Sequence, residues 1–209
     1  MMSLLEKIIQ NKIVAVIRNS NEHNIIPILQ SLFEGGVKAV EITAETENVT
    51  KIIETAVNHF EGKMLIGAGT VIDPETAKTV ISAGAQFIVS PTLNIETLKL
   101  TNRYGLLNIP GVLTPTEILT AYENGAQIVK IFPGTIFDPG YIKNVLGPLP
   151  FVKAMVTGGI TLDNINEYLS NGYVAVGIGS SLVNVNNLKS ENDYKQLRQV
   201  AKQFVTKLD

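Results

Sequence analysis

The chain contains no cysteine. That excludes a disulfide framework and any thiolate metal site. Histidine is scarce: His23 and His59 stand far apart in helix-like segments and match no metal-ligand spacing. No apolar stretch approaches the roughly 18 residues of a membrane span. The net charge is only −2, without the basic excess of a nucleic-acid surface. The first residues mix acid and base and lack a long apolar core, unlike a signal peptide. No linker, low-complexity tract or change of composition marks a second domain. These absences point to a cytoplasmic protein acting on small molecules, with no metal, membrane or nucleic-acid partner expected. With 209 residues and 45% hydrophobic content, one domain over 1–209 with a sizeable core is expected.

Apolar, β-branched runs alternate with amphipathic stretches. The predicted strands are Ile13–Ile17, Lys38–Ile42, Met64–Ile66, Phe87–Val89, Leu106–Ile109, Ile128–Phe132, Val152–Val156 and Val174–Val176. Their starts recur every 19 to 26 residues, the period of a strand-helix unit. Helix starts are marked by Asp73-Pro74-Glu75, by Thr114-Pro115-Thr116-Glu117 (a capping box with proline at the first helical position) and by Thr161-Leu162-Asp163-Asn164. Gly35-Gly36, Gly84, Gly125 and Gly172 mark helix stops. Continuous apolar strands are buried on both faces, as in parallel sheets covered by helices. Eight such units predict a single (β/α)8 TIM barrel, with residues 1–11 as an extra N-terminal helix. An open doubly wound sheet is the alternative. It would place a glycine-rich turn after its first strand, where this chain has Arg18-Asn19-Ser20-Asn21.

Barrel sites form at the C-terminal ends of the strands. Apart from Lys38 and Lys153 at strand starts, the charges in or just after the strands are Arg18, Glu41 and Lys130. Period two puts Ile128, Lys130 and Phe132 on one face, and Ala39, Glu41 and Thr43 on another. If both face inward, Glu41 and Lys130 converge. A lysine kept from water loses its proton more easily, and a neutral amine condenses with carbonyls to a Schiff base. A structural ion pair is the competing account. Gly158-Gly159 and Gly179-Ser180 end the last two strands and precede helical segments, where bare amides bind phosphate or carboxylate. The histidines, Tyr104, Phe137, Tyr141 and Tyr168 read as surface or packing residues, and Asn184-Val185-Asn186-Asn187 as a surface loop before a last helix over 193–207.

From about Ile13 to Val183, this order of motifs resembles the class I 2-keto-3-deoxy-6-phosphogluconate (KDPG) and 4-hydroxy-2-oxoglutarate (KHG) aldolases. The carrying pieces are Glu41-Ile42-Thr43, Gly67-Ala68-Gly69-Thr70-Val71, Ser90-Pro91, Ile109-Pro110-Gly111, Lys130-Ile131-Phe132-Pro133 and Thr157-Gly158-Gly159-Ile160. The resemblance implies a cofactor-free retro-aldol cleavage of a phosphorylated 2-keto acid by a homotrimer. It implies Lys130 as the Schiff-base residue and Glu41 as general acid/base. Thr70 would hold the pyruvyl carboxylate, Phe132 and Pro91 would wall the pocket, and Thr157 would meet the substrate hydroxyls. Gly158, Gly159, Gly179 and Ser180 would bind the phosphate. One departure stands out: where well-known members have Leu-Arg-Thr, this chain has Ala44-Glu45-Thr46. Arg18 is the candidate to supply the missing positive charge. A phosphogalactonate-type aldolase, a sugar-phosphate isomerase or epimerase, and a non-catalytic phosphate-binding barrel are the competing functions.

Overall fold

Strand residues divide between two separate apolar clusters, and the division follows period two. In the computed structural model, which describes residues 2–208, Val14, Ala39, Phe87, Ile128, Met155 and Ala175 share one cluster. Their chain neighbours Ala15, Val40, Ile88, Val129, Val156 and Val176 belong to a larger one beneath the helices. The first cluster fills the inside of a barrel. The second is the layer between barrel and helices.

The strands are β1 (Ile13–Ile17), β2 (Ala39–Thr43), β3 (Leu65–Gly69), β4 (Phe87–Val89), β5 (Leu107–Ile109), β6 (Gly111–Val112), β7 (Val129–Ile131), β8 (Ala154–Thr157) and β9 (Ala175–Ile178). Every pairing is parallel, in the order β5-β4-β3-β2-β1-β9-β8-β7-β6. Only Pro110 separates β5 from β6, so the ring nearly closes through that residue and the nine segments fill eight barrel positions. The strand expected over Leu106–Ile109 thus resumes past Pro110 as Gly111–Val112. Proline has no N–H to give, but its carbonyl accepts from the Lys130 amide at 2.8 Å. The strand bonds β4 before the proline and β7 after it.

Helices α1 (Leu4–Asn11), α2 (Ile25–Glu34), α3 (Val49–His59), α4 (Pro74–Ser82), α5 (Ile95–Arg103), α6 (Pro115–Glu123), α7 (Tyr141–Leu146), α8 (Ile165–Ser170) and α9 (Glu191–Thr206) surround the ring. The expected caps form: Asp73 accepts from the Thr76 amide, and Thr114 and Glu117 make a reciprocal capping box. The glycine stops at 36, 84, 125 and 172 take φ of 94° to 113°, a region L side chains avoid. Helix α1 falls within the expected N-terminal span, of which Met1 lies outside the described residues. Its Ile8 is fully buried in the interior cluster, with Leu4 and Leu5 packed beside it, so α1 plugs one end of the barrel. Helix α9 begins two residues earlier than expected, because Ser190 and Asp193 form its capping box. His23 is exposed in the turn before α2 and not on a helix; His59 ends α3 with its ring 4.8 Å from Phe60. Among the described residues no helix is long and apolar enough to cross a membrane.

Ile8→Ala would leave a void under the barrel. Urea unfolding should show a loss of about 2–5 kcal/mol; an unchanged midpoint would mean that α1 is not part of the core.

Candidate active site

Glu41 is the central residue of β2 and Lys130 the central residue of β7. Both side chains point inward, and they are 1% and 3% exposed. Two features of the sequence make room for them. At Gly69 an added Cβ would lie 2.7 Å from Glu41 Oε1, so this position of β3 must stay bare. Phe132, one period beyond Lys130, sets its ring 4.9 Å from the Lys130 ammonium nitrogen, a cation–π distance.

Among the described residues no N···O contact of 4.0 Å or less joins Lys130 to Glu41. The structural ion pair is therefore absent, although each group feels the other's charge. Burial pushes the Lys130 amine below its ordinary pKa; Glu41 partly opposes this, and Arg18 adds to it. Burial pushes the Glu41 carboxyl above its ordinary value, against the pull of Lys130 and Arg18. Glu41 Oε2 is buried and makes no hydrogen bond within the protein. Both groups are thus biased toward their neutral forms, an amine that can attack and an acid that can donate.

Arg18 follows β1 at the rim. Its Nη1 donates to Glu45, in the segment after β2, and lies 3.4 Å from Thr70 Oγ1 at the end of β3. Thr70 has φ of 57°, uncommon for a β-branched residue. The rim residues of β1, β2 and β3 are thus tied together above Glu41.

A cavity of about 610 Å³ opens beside this rim. Arg18, Phe132, Thr157, Gly158, Gly159, Gly179 and Ser180 line it, seven of the residues singled out from sequence. Glu41 and Lys130 lie deeper in the barrel. Pro91 is not among the lining residues; it abuts the Gly111 backbone, and Gly111 pairs with Lys130. Thr157 Oγ1 is buried without a hydrogen-bond partner in the protein. It fits because Gly177, its register partner, has no Cβ; one there would sit 2.2 Å from that oxygen. Gly158 and Gly159 both have positive φ, turning the chain so that backbone borders the cavity.

Sequence reasoning missed three parts of this site. The segment 184–187 lies at the surface before α9 as expected, but Val185–Asn187 form a 3-10 helix, and Asn184, Val185 and Asn186 line the cavity. Ser181 donates to the Ile160 carbonyl at 2.5 Å and joins the loops after β8 and β9. Tyr168 donates to the Gly134 carbonyl at 3.1 Å and holds the segment after β7. No local signal separates such a tyrosine from one that only packs. Among the described residues no group of three or more His, Asp and Glu is placed to hold a metal ion.

The family pattern for KDPG and KHG aldolase matches residues 4–200. The chain belongs to this aldolase family. It is 34% identical to 2-dehydro-3-deoxy-6-phosphogalactonate aldolase of Escherichia coli over 81% of this chain and 83% of that protein. It is 35% identical to 2-dehydro-3-deoxy-phosphogluconate aldolase of Haemophilus influenzae over 90% of this chain and 89% of that one. Among solved structures, KDPG aldolase from Legionella pneumophila, with pyruvate captured as a covalent carbinolamine, superposes with a TM-score of 0.83 at 31% identity, covering 91% and 92% of the two chains.

In this aldolase-family chain the charge of Glu41 holds the Lys130 pKa up. Removing that charge should let it fall further. The nucleophilic amine would then persist to lower pH in Glu41→Gln than in the parent. The check is the pH dependence of pyruvate-and-borohydride labelling at Lys130, whose rising limb should move to lower pH. A shift to higher pH would mean that the two groups are not coupled as their burial requires.

Proposed function

We propose that this chain is a Schiff-base (class I) aldolase, a carbon–carbon lyase that cleaves 2-dehydro-3-deoxy-6-phosphogluconate to pyruvate and glyceraldehyde 3-phosphate. The same chemistry extends to 4-hydroxy-2-oxoglutarate, giving pyruvate and glyoxylate. The observation that carries the reading is a lysine 3% exposed inside the barrel, held below its ordinary pKa, with a buried carboxyl coupled to it. An isomerase or a passive binding barrel has no use for that amine.

In the first step the neutral Lys130 amine attacks C2 of the keto acid. Glu41 moves protons, through an intervening water where reach demands it, so that the carbinolamine loses water to an iminium ion. The iminium is the electron sink for the next step. The carboxylate of Glu41 takes the C4 hydroxyl proton, the C3–C4 bond breaks, and its electron pair passes into an enamine while the aldehyde departs. Protonation at C3 and hydrolysis release pyruvate and restore Lys130.

Thr70 and Arg18 are assigned to the substrate carboxylate and Phe132 to the pocket wall; Pro91, which abuts the Gly111 backbone beside Lys130, shapes the barrel behind the amine. Thr157, whose hydroxyl has no partner in the protein, is assigned to a substrate hydroxyl. Gly158, Gly159, Gly179 and Ser180 are assigned to the phosphate because they border the cavity in the loops after β8 and β9; α8 and α9 start only at Ile165 and Glu191, so the helix entry expected directly behind them is not formed. A second reading, cleavage of the phosphogalactonate epimer, is favoured by the Escherichia coli relative of that name and by a TM-score of 0.88 to a native KDPGal structure at 31% identity, covering 94% of this chain and 93% of that one. The two readings differ only in configuration at C4. We place the protein in the cytoplasm as a homotrimer of one-domain chains. Support for self-association is a designed cage built by fusing symmetric oligomeric domains, 31% identical to this chain over 94% of its length.

Incubation with pyruvate and borohydride should leave one covalent adduct, mapped by mass spectrometry to Lys130 and absent from Lys130→Met. No adduct at saturating pyruvate would refute the aldolase. Arg18→Ala should raise KM for the keto acid about tenfold, the scale of a lost charged hydrogen bond; an unchanged KM would remove Arg18 from the binding site.

A further inference from the structure

Asn164 stands at the start of α8 and closes the turn that follows β8. Its Oδ1 accepts from the Thr161 amide at 2.8 Å, and its Nδ2 donates to the Gly159 carbonyl, also at 2.8 Å. An N–H on one side and a carbonyl on the other allow the side-chain amide one orientation only. The first bond is a general device of this fold. Asn24 holds the same place at the start of α2, and its Oδ1 accepts from the Asn21 amide at 2.8 Å. The second bond is particular to Asn164: among the described residues, Asn24 Nδ2 donates to nothing.

The carbonyl that Asn164 holds belongs to the Gly159–Ile160 peptide. That unit is planar and trans, so its N–H points opposite to its carbonyl. With the carbonyl turned to Asn164, the Ile160 N–H is turned away from α8. Among the described residues it finds no acceptor within the protein, although Ile160 is only 2% exposed. Buried amides without an acceptor are rare, and Gly159, Ile160 and Thr161 all line the main cavity. The neighbouring groups hold this peptide in place. The Ile160 carbonyl accepts from Ser181 Oγ at 2.5 Å. Gly159 has φ of 74°, and a Cβ there would sit 2.1 Å from Thr135 Cγ2, so the segment after β7 confines the turn as well.

We propose that Asn164 is a positioning residue for the distal phosphate: by holding the Gly159 carbonyl it aims the Ile160 N–H into the cavity, to donate to a phosphate oxygen. The inference rests on the Schiff-base reading of Lys130 and on the assignment of the phosphate to the loops after β8 and β9. The competing role for Asn164 is that of a turn former at the head of α8, which needs only Oδ1, as Asn24 shows. The two roles separate on Nδ2.

Asn164→Asp keeps the acceptor for the Thr161 amide and removes the donor to Gly159; Asn164→Ala removes both. The test measures kcat and KM for 2-dehydro-3-deoxy-6-phosphogluconate and for 4-hydroxy-2-oxoglutarate, which has no phosphate. Pyruvate-and-borohydride labelling of Lys130 reports how much of each protein is folded and competent. Both variants should raise KM for the phosphorylated acid by about three- to tenfold, the scale of one hydrogen bond. Because alanine carries no charge, a rise in both is not repulsion of the phosphate. The kcat for that acid, the KM for the oxoglutarate and the labelling should stay at parental values. An Asp variant that matches the parent would assign Asn164 to the turn alone and overturn the proposal. So would KM values for the two acids that rise together, or a fall in kcat with KM unmoved. Ser180→Asp, which puts a carboxylate in the loop after β9, separates the failures. If it raises KM for the phosphorylated acid and the Asn164 variants do not, only the role of Asn164 fails. If neither raises it, the phosphate assignment fails, and a parent that takes up no pyruvate label fails the aldolase reading.

Discussion

A lysine amine and a glutamate carboxyl share the inside of a ring of parallel strands, too far apart to pair and almost wholly withdrawn from solvent. A full charge there is costly unless it is paired and hydrogen-bonded. Glu41 Oε2 has no partner in the protein, and Lys130 faces an aromatic ring. The protein therefore biases both groups toward neutrality, and neutrality is the state carbonyl condensation requires. A direct ion pair would have stabilised the ammonium and spoiled the nucleophile.

The rest of the fold supports that constraint. Alternation along each strand sends one set of apolar residues into the barrel and the other beneath the helices. Helix α1 fills one end of the barrel, leaving the other for the site. Bare positions at Gly69 and Gly177 give space to Glu41 and Thr157. Pro110 interrupts the ring, yet its carbonyl receives the Lys130 amide, so the strand that carries the amine is held on both sides. Above the buried pair, Arg18 is the one charged side chain lining the cavity among the described residues, and it is paired with Glu45. The chemistry depends on groups almost wholly withdrawn from solvent.

Much of this was legible in the residues, for identifiable reasons. Parallel strands covered on both faces read as apolar runs, so the eight barrel positions stood out, and three charges grouped in or just after them marked one end of the barrel. Period two correctly placed Glu41 and Lys130 on inward faces. Other features depended on partners remote in sequence. Pro110 reads as a strand end because it lacks a donor, and nothing local shows that the next strand takes over its carbonyl. The asparagines at 184, 186 and 187 are turn-forming residues, so they read as a loop until the 3-10 helix is seen against the cavity. Glu45 read only as an acid standing where well-known members have an arginine. Its partner Arg18 lies 27 positions earlier, and only the adjacency of β1 and β2 joins them.

The central claim is that Lys130 loses its proton more readily than a lysine in water. Selective ¹³C labelling of lysine side chains, with Lys130→Met to assign the resonance, allows that one amine to be titrated by NMR in the unliganded protein. The account predicts a midpoint clearly below the ordinary value of 10.5. A midpoint at or above 10.5 would contradict it.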